Sequence, residues 1–300
     1  MYVIIGASGF IGSHLYEYCR KNEIDVVGTY HKHSCCSEFI PFDLCTDDFQ
    51  NTFHQYLREG GSHAVIICGA NSSIDSCKRD EEASCALNVT GTKKLLDQAE
   101  EMGIKSVFLS SEAVFDGKRG MYTEEDRLNP ITVYGKQKMQ IEQYMIQSIK
   151  NYLIFRISRA VGSSYGEKDI FNEFLLKITR NEEIVCLKDQ SFCLTEINDI
   201  AKGIIGALEQ GLIGLYHLSS ANYISRYELA NIYAQKIFGY YDKIIEKEYA
   251  DIPFWDNRHI FGGLNGNKLA GILGIHYMDI DSILNKYSRT YNGRKGVYND

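Results

Sequence analysis

The fold of this chain is decided near its start, by the stretch Val3-Ile4-Ile5-Gly6-Ala7-Ser8-Gly9-Phe10-Ile11-Gly12. A short apolar, β-branched run leads into three evenly spaced glycines, and a helical pattern follows. In such a strand–turn–helix unit the first glycine permits the tight turn, the second lets the backbone approach a pyrophosphate, and the third lets helix and strand pack closely. The N–H groups at the helix start then face phosphate. The stretch therefore predicts dinucleotide binding by Gly6, Ser8, Gly9, Phe10, Ile11 and Gly12.

Further apolar runs predict strands at 25–30, 40–44, 64–68, 107–111 and 153–157, with helices at 49–60 and 82–101 between them. Strands that alternate with helices predict an α/β fold of Rossmann type, with a doubly wound parallel sheet. From about residue 166 the alternation is less regular, which predicts a smaller C-terminal substrate-binding lobe. We expect residues 1–165, with parts of 190–220, to form an NAD(P)-binding domain. Residues 166–190 and 220–286 would form the lobe, and 287–300 a polar tail that is frayed or acts as an oligomer arm.

Composition limits the class of protein. The chain has 300 residues, of which 24% are charged and 44% hydrophobic, as is typical of a soluble globular protein. Its net charge of −7 argues against a nucleic-acid or membrane partner. No apolar run approaches membrane-spanning length. The first predicted strand begins at residue 2, so we expect no signal peptide.

The cysteines give no indication of a metal or redox site. There are nine, and no two have the CxxC spacing of zinc or redox motifs. We interpret Cys68, Cys77 and Cys85 as small apolar side chains in a reducing compartment, for which the cytoplasm is the default.

Candidate acid–base chemistry lies in Tyr134-Gly135-Lys136-Gln137-Lys138. On a helix, a phenol and an ammonium four residues apart share one face. The ammonium favours the phenolate and would lower the tyrosine pKa from about 10, so that the phenol could exchange a proton with a carbonyl oxygen near neutral pH. This spacing also arises by chance in many helices, so other motifs must support the interpretation.

A second polar motif ends the strand predicted at 107–111. Two hydroxyls, Ser110 and Ser111, stand where the apolar run stops. The carboxyl ends of parallel strands line the ligand crevice, where a serine can donate a hydrogen bond to a substrate carbonyl. An ordinary strand-to-loop serine pair would look the same in isolation.

Together these motifs resemble the extended short-chain dehydrogenase/reductase family. The similarity follows, in order, Gly6-x-x-Gly9-x-x-Gly12, Ser110-Ser111, Val114-Phe115-Asp116-Gly117, Pro130 and Tyr134-x-x-x-Lys138. Within the family the chain is most similar to dTDP-4-dehydrorhamnose reductases and their relatives. That similarity rests on Tyr122-Thr123-Glu124-Glu125-Asp126, Tyr134-Gly135-Lys136, Tyr216-His217-Leu218-Ser219 and Ser225-Arg226-Tyr227-Glu228-Leu229-Ala230.

The resemblance implies an NAD(P)H-dependent reduction of a keto group on a nucleotide-activated deoxysugar of 4-keto-6-deoxyhexose type, in polysaccharide or related sugar biosynthesis. Ser111 would hydrogen-bond the carbonyl oxygen and Tyr134 would donate the proton. Lys138 would hold down the tyrosine pKa and bind the nicotinamide ribose. Family members often form homodimers through helices that include the catalytic one, so by analogy a homodimer is one assembly open to this chain, whose sequence does not fix the oligomeric state.

The resemblance also places the cofactor. The end of the second strand, Tyr30-His31-Lys32, meets the adenosine ribose and lacks the carboxylate expected for NAD, while Lys32 can pair with a 2′-phosphate. NADPH is therefore favoured, with NADH as the alternative if His31 and Lys32 only begin a solvated loop. Asp43 and Leu44 would lie near the adenine, and Gly69, Ala70 and Asn71 would let the backbone pass the cofactor. Asn88 would organise the site from behind or simply bond within its own helix.

Four further residues are candidates for substrate contact. Glu112 replaces a family aspartate and would tune or relay protons, or remain a solvated carboxylate. Arg159 stands in Ser158-Arg159-Ala160-Val161-Gly162, where relatives carry Ser-Trp-Val-Tyr-Gly, and would bind diphosphate or form an ion pair. Thr195 matches the threonine of a family Pro-Thr pair. Arg258 would contact the diphosphate or form a structural salt bridge.

One related activity is disfavoured by the sequence, and two other functions, an epimerase and a non-catalytic subunit, remain open. The 4,6-dehydratases of the family carry a second carboxylate where this chain has Ala113, which argues against dehydration. A nucleotide-sugar 4-epimerase shares the Ser, Tyr and Lys, although epimerases usually keep an acidic ribose contact. A non-catalytic NADP-binding regulatory subunit, like the β subunit of methionine adenosyltransferase, is the alternative from a different class.

Overall fold

The chain folds around a parallel sheet that runs through its first part. The computed structural model describes residues 1–57 and 63–295. In these residues seven strands pair in the order β10-β6-β5-β4-β1-β2-β3, and every neighbouring pair is parallel. The strands are β1 (Tyr2–Ile5), β2 (Val26–Tyr30), β3 (Ile40–Pro41), β4 (Ala64–Ile67), β5 (Lys105–Ser111), β6 (Tyr152–Ile157) and β10 (Gly214–Leu218). The predicted Rossmann-type α/β fold is confirmed.

Helices cover both faces of this sheet because each strand is apolar on both sides. They are α1 (Phe10–Lys21), α2 (Phe49–Phe53), α3 (Ile74–Arg79), α4 (Glu81–Cys85), α5 (Thr92–Glu101), α6 (Val133–Ser148) and α8 (Ile197–Glu209). Along β1, Ile4 packs into the core formed with α1 and α8, whereas Val3 and Ile5 pack into the core formed with α2, α5 and α6. Each fully buried aliphatic side chain of this kind stabilises the fold by roughly 1.5–3 kcal/mol.

A smaller unit follows, with a core of its own. It contains β7 (Arg159–Val161), β8 (Ile184–Leu187), β9 (Ser191–Glu196), β11 (Tyr223–Ser225) and β12 (Ile244–Lys247), with helices α7 (Ile170–Thr179), α9 (Arg226–Phe238) and α11 (Ile280–Lys295). The order β11-β9-β7 makes one small sheet, and β12 pairs with β8 in another. Phe171, Phe174 and Tyr233 lie at the centre of this second core. The lobe was predicted at 166–190 and 220–286, whereas β7 precedes this range and β9 lies between its two parts.

The C-terminal boundaries differ from the prediction. Residues 287–295 continue helix α11, and Tyr287 and Tyr291 are buried in the lobe core, so this part of the predicted polar tail is a packed element. The apolar tyrosine rings carry the packing that the polar composition concealed. Helix α10 (Asn267–Leu273), predicted within the lobe, packs its Leu269 into the core of α1 and α8 instead. Residues 296–300 lie outside the described part of the chain.

Two predicted helices also differ in extent. The helix predicted at 82–101 is α4 and α5 joined by a π-helix, Ala86–Gly91. The helix predicted at 49–60 ends at Phe53, and residues 58–60 of that prediction are not among those described. None of the helices in the described ranges has both the length and the apolar character to cross a lipid bilayer.

Candidate active site

The glycine turn lies where β1 meets α1. Gly6 has φ +80°, and a Cβ there would lie 2.7 Å from Gly69 at the end of β4. A Cβ on Gly12 would lie 2.3 Å from the Gly6 carbonyl oxygen, so both positions require glycine. Gly9 holds the N-cap position of α1, where it has no side chain to occupy the free N–H groups of the first turn. Those N–H groups suit phosphate oxygens.

The end of β2 brings three of the predicted cofactor residues together. His31 and Lys32 are exposed, and His31 Nε2 lies 3.4 Å from Asp43 Oδ2. Asp43 also accepts a hydrogen bond from the Cys45 backbone N–H. Leu44 differs, because its side chain is buried in the core with α2 and only its backbone can face a ligand. The exposed Lys32 ammonium therefore stands at the end of β2, next to His31, and the Asp43 carboxylate lies against the His31 ring.

The end of β4 is tied to helix α6 through one asparagine. Asn88, in the π-helix, accepts from the Asn71 N–H at 2.8 Å and donates to the Asn71 carbonyl at 2.9 Å. Its amide also donates to Gln137 Oε1 at 2.8 Å. Asn88 thus ties Asn71, which follows Gly69 and Ala70, to the helix that carries Tyr134. This arrangement agrees with a role in organising the site from behind.

Helix α6 places Tyr134 beside Ser111. Thr132 caps α6 by accepting from the Gly135 N–H, and a Cβ on Gly135 would lie 2.0 Å from the Ala113 carbonyl oxygen. The helix start therefore packs directly on the turn that follows β5. In that position Tyr134 lies beside Ser111, whose side chain acts to lower the pKa of the phenol. Both line one cavity.

The pKa values of Tyr134 and Lys138 differ from the prediction. Burial raises the pKa of Tyr134 above its ordinary value, and the neighbouring Ser111 side chain only partly offsets this. Lys138 does not counter it: its Nζ donates to the Leu109 carbonyl at 2.8 Å and lies 5.7 Å from the centre of the Tyr134 ring. Burial lowers the pKa of Lys138 itself to about 8. The predicted lowering of the tyrosine pKa by Lys138 is therefore wrong for the chain alone, because desolvation dominates.

A buried ion pair supports α6 from beneath. Glu142 stands two helical turns after Tyr134 and pairs with Arg156 of β6 at 2.7 Å, and neither side chain reaches solvent appreciably. Ser110 donates to the same carboxylate. Arg156 in turn lies 3.3 Å from His217 Nε2, and burial lowers the pKa of that histidine to about 3, so it stays neutral. The first serine of the motif thus serves the scaffold, and the second faces the cavity.

The cavity lies between the sheet and the lobe and has a volume of about 740 Å³. Ser111, Glu112, Tyr134, Arg159 and Arg258 all line it. Thr195 does not belong with them. It is fully buried, and its hydroxyl accepts from the Ser220 N–H at 3.0 Å. Its predicted substrate contact is therefore corrected to a role in packing.

The three charged candidates have different partners. Glu112 Oε2 lies 2.6 Å from the Gly263 nitrogen and 3.0 Å from Ser158 Oγ, so it links the end of β5 to the lobe. Arg258 pairs with Asp75 at 2.7 Å and donates to two neighbouring carbonyls, which supports the structural salt bridge. Arg159 lies over the Phe192 ring at 4.5 Å, and its enclosed Nε finds no hydrogen-bond partner in the part of the chain that is described.

Two cavity residues were missed by sequence reasoning. Arg226 opens α9 and pairs with Glu173 of α7 at 2.6 Å. Both line the cavity because Ser225 pairs with Ser191 across β11 and β9, which places the start of α9 over it. The sequence signals only a capped helix here, through Ser225 and Glu228. Among the described residues no group of three or more His, Cys, Asp or Glu side chains is placed to hold a metal ion.

Comparison with known proteins agrees with this geometry. The family model described as RmlD substrate binding domain matches residues 1–282. A dTDP-4-dehydrorhamnose reductase of Sinorhizobium fredii is 28% identical over 249 residues, which cover 78% of this chain and 81% of that protein. The methionine adenosyltransferase 2 subunit beta of Bos taurus is 25% identical over 239 residues, 76% of this chain and 69% of that protein.

A solved structure shares the fold. The dTDP-4-dehydrorhamnose reductase of Bacillus anthracis, in complex with NADP, superposes with a TM-score of 0.80 at 22% identity and covers 97% of this chain and 98% of that one. The family resemblance and the fold class predicted from the motifs are both confirmed.

Proposed function

This chain belongs to the family described as RmlD substrate binding domain, and from that premise we propose that it is an NADPH-dependent reductase. Its substrate would be a nucleotide-activated deoxysugar that carries a keto group, of the 4-keto-6-deoxyhexose type. The observation that carries the proposal is the placement of Ser111 and Tyr134 in the wall of one cavity, with Lys138 one helical turn after Tyr134 on the same helix. A reaction of this kind would serve polysaccharide or related sugar biosynthesis.

The residues present fit the cofactor. The glycine turn brings the backbone close to the crevice, and the open first turn of α1 can receive the pyrophosphate. Lys32 offers a cation to a 2′-phosphate, and His31 beside it offers a ring nitrogen for hydrogen bonding, which favours NADPH over NADH. The Bacillus anthracis relative was solved with NADP, which supports the same choice. When bound, NADPH would supply the hydride.

The chain's own residues would manage the proton. Because burial raises the pKa of Tyr134, the phenol holds its proton at neutral pH and can donate it to the oxygen of a keto group. Ser111 would donate a second hydrogen bond to that oxygen as negative charge develops on it. Lys138, held against the Leu109 carbonyl, would place a positive charge beneath the pair. The walls of the cavity would exclude water from the reacting atoms.

The cavity supports a nucleotide sugar as the substrate class. Its volume of about 740 Å³ falls within the range usual for small-molecule sites. Three arginines line it, and anionic phosphate groups are the natural partners of arginine. A nucleotide-sugar epimerase would fit the same cavity, but the end of β2 lacks the acidic ribose contact that such enzymes usually keep.

A non-catalytic binding subunit is the second candidate. It is favoured by the similarity to the methionine adenosyltransferase 2 subunit beta, at 25% identity over 76% of this chain. Such a subunit would bind NADPH without turning over a sugar. The two proposals therefore differ in one observable, the consumption of NADPH.

The deciding experiment measures NADPH consumption with a panel of nucleotide-linked 4-keto-6-deoxy sugars, with NADH in parallel. We expect turnover with at least one sugar, and a preference for NADPH. Replacing Tyr134 by Phe should reduce turnover by two orders of magnitude or more, since general-acid groups contribute about 10²–10⁴-fold, and should leave NADPH affinity nearly unchanged.

Tyr144→Phe is the matched control, because Tyr144 lies on the same helix and hydrogen-bonds Asp97 on the outer surface. It should keep wild-type turnover. Unchanged turnover in Tyr134→Phe would remove the catalytic role of this tyrosine. Tight NADPH binding without turnover of any sugar would favour the binding subunit.

A further inference from the structure

No carboxylate of the described residues forms a salt bridge with Arg159, although the charges of Glu112, Glu173 and Asp169 act on it from farther away. Its guanidinium lies over the Phe192 ring, 4.5 Å from the ring centre, and forms part of the cavity wall. Its Nε is enclosed and makes no hydrogen bond to any described residue. Burying a guanidinium in this way is costly unless an anion completes it. The arrangement therefore points to a ligand.

A second guanidinium stands in the same wall. Arg226 is mostly buried and is held by Glu173 at 2.6 Å, while its Nε lies 3.4 Å from the Val185 carbonyl. Burial lowers the pKa of Arg159, and the nearby Arg226 lowers it further because the two cations repel. An anion placed between them would relieve that repulsion.

Glu173 is more exposed to solvent than Arg226. Its side chain is 42% exposed and lines the cavity, so its carboxylate can leave the arginine for solvent at little cost. In the free chain the Glu173 carboxylate pairs with the Arg226 guanidinium in the cavity wall. A ligand with two negative charges could bind Arg159 and take over the place of Glu173 on Arg226.

Arg258 is unsuited to the same task. One of its terminal nitrogens pairs with Asp75 at 2.7 Å, and the other donates to the carbonyls of Asp256 and Asn257. Its two terminal nitrogens are thus engaged by the protein. Arg159 has no such hydrogen bond to any residue that the structure describes.

We propose that Arg159 binds the diphosphate of the nucleotide sugar, and that Glu173 holds Arg226 in the free chain and yields this position to a phosphate oxygen when the substrate binds. This inference rests on the proposed function for its substrate class. A guanidinium matches phosphate oxygens through two parallel hydrogen bonds, and a diphosphate supplies the second charge that Arg226 requires. Phe192 serves as the platform that fixes the Arg159 plane.

The test is calorimetric titration of the full chain with dTDP, UDP and inorganic pyrophosphate. Arg159→Met should weaken binding of the preferred nucleoside diphosphate by roughly tenfold or more, because a charge-assisted hydrogen-bond pair is lost. Arg159→Lys should recover part of the affinity, since it keeps the charge and loses the planar fork. Glu173→Gln should tighten binding by roughly threefold or more, because a carboxylate no longer competes for Arg226.

Arg180→Met is the matched control for loss of a positive charge, because Arg180 is exposed at the end of α7. It should bind dTDP and UDP as the wild type does. NADPH affinity, measured on every variant, should stay constant and so report an intact cofactor domain.

The outcomes separate the two proposals. Wild-type binding of a nucleoside diphosphate, with equal affinity in Arg159→Met, would overturn the assignment of Arg159 and leave the proposed function standing. Unchanged affinity in Glu173→Gln would overturn the role of Glu173 as a competitor. A wild-type chain that binds none of the three ligands would remove the nucleotide-sugar function, and this inference with it.

Discussion

Of the pair Tyr134 and Lys138, it is the lysine whose pKa burial brings closer to neutral pH. Burial acts on both groups, but in opposite directions: it raises the pKa of the phenol and lowers that of the ammonium to about 8. The phenol therefore stays protonated as the pH changes around neutrality, while the lysine loses its charge a little above it. In the reductive direction this division suits Tyr134, which has to give a proton and not to take one.

Lys138 should make the stability of the chain depend on pH. Its pKa is about 8 when folded, against an ordinary value of 10.5. Between these values the unfolded chain holds a proton that the folded chain has lost, so the free energy of unfolding rises with pH in this window. Below pH 8 Lys138 stays charged in the folded chain, so the full free-energy cost of burying its charge lowers the stability there. Over the whole window the gain should approach about 3 kcal/mol.

Replacing Lys138 by Met should abolish that gain. Urea unfolding of both proteins at several pH values between 7.5 and 10.5 gives the difference between their free energies of unfolding. We expect wild-type stability to rise relative to the variant across the series. A difference that stays constant with pH would mean that the lysine titrates normally in the folded chain.

At the scale of elements, helix α6 depends on one glycine. A Cβ on Gly135 would lie 2.0 Å from the Ala113 carbonyl oxygen, which is backbone and cannot rotate away. Gly135→Ala must therefore push the start of α6 off the turn after β5, and separate Tyr134 from Ser111. We expect a loss of roughly 2–4 kcal/mol in the free energy of unfolding, comparable to other steric clashes in protein cores, together with loss of turnover.

Gly206→Ala in α8 is the matched control. It is also a helical glycine, but a Cβ there would meet only Leu273 side-chain atoms, at 3.6 Å and beyond. Since alanine favours helices by up to about 1 kcal/mol over glycine, this variant should be as stable as the wild type or more so. Thermal unfolding of the two variants measures the contrast. Equal stability of the two would show that α6 accommodates the methyl group without moving.

Elements that depend on local pattern could be predicted from the sequence. The strand ends of β1, β4 and β6 lie within one or two residues of the predictions, because apolar β-branched runs between turn residues specify buried strands. The π-helix at 86–91 could not be foreseen, because Asn88 reaches Asn71 and Gln137 only after the sheet has formed. Helix α11 was missed because its polar residues conceal tyrosines whose partners come from α7 and α9.

The residues of the candidate site divide in the same way, into those that the sequence indicates and those that only the folded structure brings together. Ser111, Tyr134 and Lys138 could be named as candidates from the family resemblance that the motifs carry together, because the spacing of each motif alone also arises by chance. Arg226 and Glu173 could not, because strand pairing in the lobe brings them to the cavity. The pKa values were predicted least well, since they depend on how completely the folded chain excludes water from Tyr134 and Lys138.

At the scale of the whole molecule, residues 252–259 join the lobe to the cofactor domain beside the cavity. Arg258 pairs with Asp75 of α3, whose other oxygen accepts from the Trp255 N–H at 3.3 Å. Asp256 accepts from the Val133 N–H at the start of α6, and Asn257 donates to the Ile131 carbonyl. These polar contacts set the position of the lobe relative to Tyr134, and hence the width of the cavity.

A double-mutant cycle on Asp75 and Arg258 tests whether this pair is a link between the two units. If it is, Asp75→Asn and Arg258→Met each weaken the same contact, so the double variant should be little worse than either single one. Neighbouring residues with a shared partner typically show coupling free energies of about 0.5–3 kcal/mol, and we expect a value in that range from urea unfolding.

Both single variants should raise KM for the sugar nucleotide to a similar extent, with kcat less affected, because the cavity loosens while Tyr134 stays in place. A direct contact between Arg258 and the diphosphate gives the opposite pattern. Arg258→Met would then raise KM strongly, while Asp75→Asn would leave KM unchanged or lower it by freeing the guanidinium.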